Sequence, residues 1–162
     1  MNKMTPKTLK GLITSSIVYI GLALIAAAVA IIENRTAQAV LSSRLPVVQG
    51  FLYGNGTAMS PPLYWLVAQG ILTALAPRRD RWGTVGVVGL TIVGLLFGIF
   101  GALEPIVLEI FNPKTFDLPK AILVAGAIIV AFLMVVFGIL ELVRRRRDKK
   151  LGLVSLPSHE MR

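Results

Sequence analysis

The sequence contains no cysteine, and its single histidine, His159, lies near the C-terminus. The absence of thiols excludes a disulfide framework, thiol redox chemistry and thiolate metal sites. One histidine is too few for a histidine-rich metal centre. Acidic residues are also scarce, since aspartate and glutamate together number only 8. We therefore predict that the protein carries no metal ion and no cofactor.

Sequence motifs of common enzyme classes are missing as well. The chain has no phosphate-binding loop, no HExxH pattern and no nucleophile elbow. No group of residues combines an acid, a base and a nucleophile in the usual patterns. These absences favour a non-enzymatic protein. The remaining enzymatic interpretation is a lipid-modifying enzyme, for which Glu104 and Glu109 are the only candidate groups.

Long uncharged stretches replace the missing polar residues. The chain is 55% hydrophobic and 15% charged, with a mean hydropathy of +0.75. A water-soluble domain must cover its surface with polar groups, so this composition indicates lipid as the solvent. Three runs of at least 20 residues have no charged side chain: 11–32, 82–103 and 121–140. Each can form a helix of about 30 Å, the thickness of a bilayer's hydrocarbon core.

We predict an all-α fold, an integral membrane four-helix bundle that forms a single domain over residues 1–162. The predicted transmembrane spans are 11–32, 60–76, 83–107 and 120–143. An outer loop, 33–59, joins the first two spans, and a basic tail, 144–162, follows the last. The first span could instead be a cleaved signal peptide, but its apolar core is too long for one.

The second span is the weakest of the four. Its start is marked by Ser60-Pro61-Pro62, a capping residue followed by prolines in the first turn. The apolar segment that follows is short and contains Gln69, whose amide needs a hydrogen-bonding partner on a neighbouring helix. Tyr64 and Trp65 fit the aromatic belt at the outer membrane surface.

Basic residues give the bundle a direction. If all four spans cross the membrane, 13 of the 17 lysines and arginines lie on one side. Such an excess marks the cytoplasmic side, so both the N and the C terminus are predicted to be cytoplasmic. Topology thus explains the net charge of +9 without nucleic acid as a partner. The candidate contacts to anionic lipid are Arg144, Arg145, Arg146, Arg147, Lys149 and Lys150. Alternatively, this basic run only stops the last span from entering the membrane.

The third span is rich in glycine. Gly94 and Gly98 form a GxxxG pattern, and Gly101 lies on the same face of the helix. Small residues at this spacing let two helix backbones approach closely in lipid. The pattern predicts helix packing inside the bundle. A seam between two copies of the chain and a pore lined by backbone are the alternatives.

The carboxylates near the ends of the spans allow two interpretations. Glu104, with Gln69 and Glu33, could form an outward-facing cation or proton site. The alternative is that these carboxylates mark the helix ends and pair with Arg35 or Lys120. At the other end of the last span, Glu141 is expected to form ion pairs with Arg144 and Arg145, which follow it at i+3 and i+4.

These features predict a multi-pass protein of the plasma membrane, and the architecture is typical of a prokaryotic cell. The protein is expected to act without catalysis, through helix packing or contacts with partners. The expected partners are the lipid bilayer and either a second copy of the chain or another membrane protein. The alternative function is that of a small oligomeric transporter or channel that uses the outward-facing carboxylate of Glu104.

Overall fold

Every regular element in the described part of the chain is a helix. The structure is a computed structural model, and it describes residues 6–37, 45–114 and 116–150. In chain order the helices are α1 (Lys7–Ile32), α2 (Val47–Tyr53), α3 (Leu63–Leu75), α4 (Arg81–Leu103), α5 (Pro105–Ile110) and α6 (Leu118–Lys150). This finding confirms the all-α class. Residues 38–44 of the predicted outer loop and 151–162 of the predicted tail lie outside the described residues.

Three of the helices are long and apolar enough to cross a membrane. They are α1, α4 and α6, in which an apolar stretch of 18 residues has a mean hydropathy of 2.5, 2.3 and 3.0, respectively. Many of their large apolar side chains point outward, including Ile17, Ile122 and Ile129. Exposed apolar surface of this extent is unfavourable in water but suits a lipid environment. The helices therefore support the prediction of a membrane protein.

The second predicted span is a shorter helix. α3 has 13 residues and begins at Leu63 instead of the predicted Ser60. Pro62 precedes it in an extended conformation, with φ −66° and ψ 154°. At about 1.5 Å per residue, α3 is about 20 Å long, well below the thickness of the hydrocarbon core. Whether this segment crosses the membrane stays a prediction.

The third predicted span, 83–107, ends earlier than the sequence suggests. α4 stops at Leu103, and Pro105 starts the separate short helix α5. Glu104 between them is extended, with ψ 132°, as expected for a residue that precedes proline. Proline also lacks the N–H that would continue the hydrogen-bond ladder. The chain turns here, and Ile106 of α5 packs near the start of α6.

The four longer helices form a closed ring of contacts. α6 packs against α1 and α4, and α3 packs against the same two helices on the other side. At one end, Thr8 of α1 donates to Glu141 of α6 over 2.6 Å. At the opposite end, Lys120 of α6 lies 2.7 Å from Glu33, which follows α1. We call these the Glu141 end and the Glu104 end. The start of α1 and the end of α6 thus lie together.

The core lies between the four helices in the half toward the Glu141 end. Leu12 of α1, Leu90 of α4 and Met134 of α6 are fully buried there. Buried alanines along α1, from Ala23 to Ala30, allow close contact with its neighbours. A smaller apolar cluster around Ile106 and Val124 joins α5 to α6 at the Glu104 end. Between the two clusters the packing leaves a cavity.

Candidate functional site: a cavity toward the Glu104 end

The main cavity in the described residues has a volume of about 430 Å³, within the range of small-molecule binding sites. Its walls come from α1, α3, α4, α5, α6 and the segment between α2 and α3. The lining is mostly apolar or aromatic, with the carboxylate of Glu104 among its few polar groups. A cavity of this kind is suited to binding an apolar molecule with limited polar recognition.

The cavity exists because α3 is short. α1 has 26 residues and is about 39 Å long, so α3 falls about 19 Å short of it. The C-terminal end of α3 is fixed at the Glu141 end, where Arg145 donates to the carbonyl of Ala76 over 2.7 Å. The missing turns of α3 are therefore all at the Glu104 end. There the irregular segment 54–62 lies over the gap.

Three aromatic rings form the floor of the cavity. Tyr19 and Phe97 stack with ring centroids 5.2 Å apart, and Trp65 meets Phe97 edge-on at 6.2 Å. Tyr19 lies halfway along α1, so the floor is at the middle of the bundle. Whether Trp65 belongs to an outer aromatic belt stays a prediction. Aromatic pairs in these geometries add to the stability gained from burial alone.

The segment 54–62 is held in place by backbone hydrogen bonds. Gly56 has a positive φ of 94°, and a side chain at this position would collide with the carbonyl oxygen of Ser60. Thr57 donates its N–H to the same oxygen over 2.9 Å, and Ala58 donates to the carbonyl of Arg35 over 3.3 Å. These partners matter because an irregular backbone is tolerated at membrane depth only where protein or a cavity covers it. The segment thus forms one wall of the cavity and is fixed by its own hydrogen bonds.

Several ion pairs lie at the Glu104 end. Arg35 donates to both carboxylate oxygens of Glu109 at 2.9 Å and also contacts Glu33. Lys120 lies 2.7 Å from Glu33 and 2.9 Å from Asp117. The hydrogen bond from Lys120 lowers the pKa of Asp117, since it favours the charged carboxylate. The pairing of Glu33 with Arg35 and Lys120 agrees with the interpretation that this carboxylate marks a helix end and pairs with basic residues.

The structure does not bring the two candidate ion-site residues together. Glu104 lines the cavity at the C-terminal end of α4, whereas Gln69 lies one turn beyond the aromatic floor and does not line it. Counted along the helices, the two side chains are about 15 Å apart in level. Glu33 pairs with the basic residues described above and does not line the cavity. A joint site of Glu104 and Gln69 is therefore absent from this conformation.

Gln69 has the neighbouring partner that the sequence calls for. Its Nε2 donates to the backbone carbonyl of Ser16 at 3.2 Å and to the Ser16 hydroxyl at 2.9 Å. The Ser16 hydroxyl in turn lies 2.7 Å from that of Thr73, which donates to the carbonyl of Gln69. Ser16 is therefore the donor to Thr73. The Oε1 atom of Gln69 is buried and has no hydrogen-bond partner within the described residues.

The predicted packing glycines face α6. A Cβ atom at Gly94 would lie 2.8 Å from the carbonyl oxygen of Ala131, and one at Gly98 would lie 3.2 Å from the ring of Phe132. At Gly101 the nearest atom is 3.6 Å away, so this position has more space. The first two glycines thus permit close contact between α4 and α6 within one chain. Their location favours helix packing over a seam between copies.

At the Glu141 end, only part of the basic run is exposed. Glu141 has 0% side-chain exposure, and it accepts hydrogen bonds from Arg144, Arg145 and Thr8. The predicted ion pairs of Glu141 are confirmed. Arg144 also binds Asp148. The exposed members among the predicted lipid contacts are Arg146, Arg147 and Lys149, while the side chain of Lys150 lies outside the described residues.

Comparison with known proteins gives no match. No family model fits the chain, and no curated protein or solved structure matches it significantly. No group of three or more potential metal ligands occurs within 6–37, 45–114 and 116–150. The cavity-lining residues Tyr19, Phe97 and Trp65 were not predicted from the sequence. The one local signal for the cavity was Pro61-Pro62, which delays the start of a helix that is already short.

Proposed function

We propose that the protein is a non-enzymatic, multi-pass membrane protein that binds a small apolar molecule from the bilayer in the cavity described above. The proposed fold is a four-helix bundle in the plasma membrane of a prokaryotic cell, with α3 as the second span and both termini cytoplasmic. The observation that carries the proposal is the aromatic-floored cavity of about 430 Å³. A void of this size costs packing energy unless something fills it.

The exposure of the lining residues supports entry from the side. Tyr64 and Trp65 of α3 and Phe100 of α4 line the cavity and are also exposed on the surface of the bundle. α3 and α4 are neighbours, so the opening faces the hydrocarbon region between them. An apolar molecule dissolved in the bilayer can enter there without passing through water.

Charge supports the proposed orientation. The Glu141 end carries the exposed Arg146, Arg147 and Lys149 on α6. It also carries the exposed Arg78 and Arg79 between α3 and α4, and Arg81 at the start of α4. The opposite end has an ion-paired layer in which Arg35 and Lys120 are balanced by carboxylates. Basic excess marks the cytoplasmic side. The cavity then opens in the outer half of the bilayer.

The protein's two tryptophans provide a direct test. Trp65 lines the cavity, and Trp82 is exposed at the other end of the bundle. In a Trp82→Phe background, the fluorescence of Trp65 reports cavity occupancy. Brominated dodecanol, titrated into nanodiscs that contain this variant, should quench Trp65 with a saturable component. The reciprocal variant, Trp65→Phe, should show only linear quenching of Trp82 by probe dissolved in the bilayer.

A matched pair of alanine substitutions separates the cavity from the lipid-facing surface. Ala127→Phe places a ring in the cavity, whereas Ala28→Phe places the same ring on the exposed face of α1. The saturable component should disappear in Ala127→Phe and persist in Ala28→Phe. Identical linear quenching of Trp65 in both variants would contradict the proposed binding function.

Transport is the second candidate, because the ionisable residue Glu104 lines the cavity. A transported ion would have to pass the buried layer of Leu12, Leu90 and Met134 on the way to the Glu141 end. This conformation is closed at that layer, so transport needs a second conformation. In a proteoliposome flux assay, Glu104→Gln should abolish transport. Equal flux through the variant and the parent protein would remove this carboxylate from the mechanism.

A further inference from the structure

The hydroxyl of Tyr19 differs from the other polar groups that line the cavity. Tyr19 is only 5% exposed, and its ring is fixed by stacking on Phe97. Its hydroxyl has no hydrogen-bond partner within the described part of the chain. A buried tyrosine hydroxyl usually has such a partner, because burial without one costs free energy. Since Tyr19 lines the cavity, a molecule in the cavity can supply the missing partner.

The surroundings of this hydroxyl favour a neutral partner. The side chains of the floor, Tyr19, Phe97 and Trp65, carry no charge. Glu104 is the charged residue of the described lining, and it follows Phe97 by about 10 Å along α4. A charged group at the floor would therefore lose its hydration without gaining a counter-ion. An ether or carbonyl oxygen is neutral, and it can accept the hydrogen bond that Tyr19 is able to donate.

Aromatic side chains form a continuous series from the floor to the side of the bundle. Tyr19 stacks on Phe97, and Phe97 meets Trp65 edge-on. Trp65 in turn lies 6.2 Å from Tyr64, measured between ring centroids, and Tyr64 is half exposed. Offset and edge-on contacts between rings are favourable beyond the burial of their area. The series therefore suits a flat ring better than a saturated chain.

The size of the cavity agrees with a ring that carries a short side chain. A cavity of about 150 Å³ is enough for benzene, and this one has about 430 Å³. We propose that the ligand is a neutral aromatic compound with an ether or carbonyl oxygen close to its ring. The oxygen accepts the hydrogen bond of Tyr19, and the ring lies against the aromatic series. This inference rests on the proposed binding function and adds the chemical class of the ligand.

The test compares two molecules that differ at one position. Trp65 in the Trp82→Phe background is first quenched by brominated dodecanol in nanodiscs of zwitterionic lipid. Benzyl propyl ether is then added, or pentylbenzene, in which a methylene group replaces the ether oxygen. The mole fraction in the bilayer that restores half of the fluorescence is measured. The ether should displace the probe at a mole fraction about fivefold lower than pentylbenzene, as expected for one hydrogen bond between neutral groups.

Substitution of the tyrosine assigns this preference to the floor. Tyr19→Phe removes the hydroxyl and keeps the ring. It should reduce the advantage of the ether to within about twofold and leave displacement by pentylbenzene unchanged. Tyr64→Phe is the matched control, because it removes the hydroxyl of a half-exposed tyrosine that also lines the cavity. It should keep the preference for the ether.

A third competitor tests the preference for a flat ring. Cyclohexylmethyl propyl ether has the same ether oxygen but a saturated ring. It should require a mole fraction about threefold higher than benzyl propyl ether, because it lacks the contacts between aromatic rings. Equal displacement by the two ethers would overturn the aromatic part of the ligand class.

The outcomes separate this inference from the proposed function. Equal displacement by benzyl propyl ether and pentylbenzene, with saturable quenching intact, overturns the ligand class alone. This comparison needs no substitution in the cavity, so it does not depend on the folding of Tyr19→Phe. Survival of the ether preference in Tyr19→Phe also overturns the ligand class and leaves the binding function standing. Absence of saturable quenching by brominated dodecanol overturns the binding function and the ligand class together.

Discussion

The buried carboxylate of Glu141 should be among the most sensitive single positions in the protein. It accepts hydrogen bonds from Thr8 at 2.6 Å, from Arg144 at 2.6 and 2.9 Å, and from Arg145 at 2.9 Å. Arg145 continues the connection by donating to the carbonyl of Ala76 at the end of α3. One side chain thereby ties the ends of α1, α3 and α6 together. We predict that Glu141→Gln weakens this connection without changing the volume of the side chain.

The expected cost follows from the exposure of the partners. Removing one member of a buried ion pair typically costs about 3–5 kcal/mol, because the remaining charge stays buried without compensation. Glu141 is fully buried, but Arg144 retains 35% and Arg145 15% of its side-chain exposure. Water therefore reaches the guanidinium groups in part. We expect the lower end of the range, a loss of about 3 kcal/mol in the free energy of unfolding.

Equilibrium unfolding in mixed micelles, titrated with a denaturing detergent, measures this loss. Asp148→Asn is a matched control, because Asp148 binds the same Arg144 in a partly exposed pair. Its cost should be below about 1 kcal/mol. The double variant Glu141→Gln/Arg145→Gln should be less destabilised than the sum of its single variants. A Glu141→Gln protein as stable as Asp148→Asn would refute the account of a buried connection.

Three further substitutions test other parts of the fold. Gly94→Leu should lower the free energy of unfolding by about 1–3 kcal/mol, because it overpacks α4 against α6. Gly21→Leu should lower it little, since the space around Gly21 is open. An altered oligomeric mass of Gly94→Leu with unchanged stability would point to a seam between copies. Gln69→Leu should change the free energy of unfolding by less than about 1 kcal/mol, since it removes both the donor to Ser16 and the unpaired Oε1. A large loss of stability would contradict this balance. The lowered pKa of Asp117 means that its ion pair stabilises the protein above the ordinary aspartate pKa of about 4, and the contribution disappears as the pH falls through the lowered value. Asp117→Asn should flatten this part of the pH dependence of unfolding, and an unchanged profile would argue against the pair.

The long helices could be predicted from the sequence because their signal is strong and local. An uncharged run of 20 residues has few alternatives to a membrane-length helix. The end of α6 was harder, since the predicted span stops at Val143 and the helix continues to Lys150. Arginine and lysine are good helix formers, and the pairs of Glu141 and Asp148 with Arg144 stabilise the additional turns. A charged run ends a span without ending the helix.

The break after α4 shows that the prediction gave too little weight to one local rule, the restriction that proline places on the residue before it. The apolar run through 83–107 favours one continuous span, with a bend at Pro105. In the structure, the restriction that proline imposes on Glu104 ends the helix instead. The turn directs Ile106 and Ile110 toward the start of α6, where they are buried. Burial of the short helix α5 compensates for the hydrogen bonds lost at the break, and this gain depends on a contact that the sequence does not reveal.

The cavity depends on two features together, the late start of α3 and the break after α4. Pro62 delays the start of α3, and the break at Glu104 turns the chain over the space that the missing turns of α3 would have filled. If either helix were continuous, packed side chains would occupy the cavity. The prolines are visible in the sequence, but the resulting cavity requires knowing that α3 is anchored at the opposite end by Arg145. The same anchoring connects the two halves of the molecule: loss of Glu141 should loosen α3 and thereby alter the aromatic floor that Trp65 helps to form.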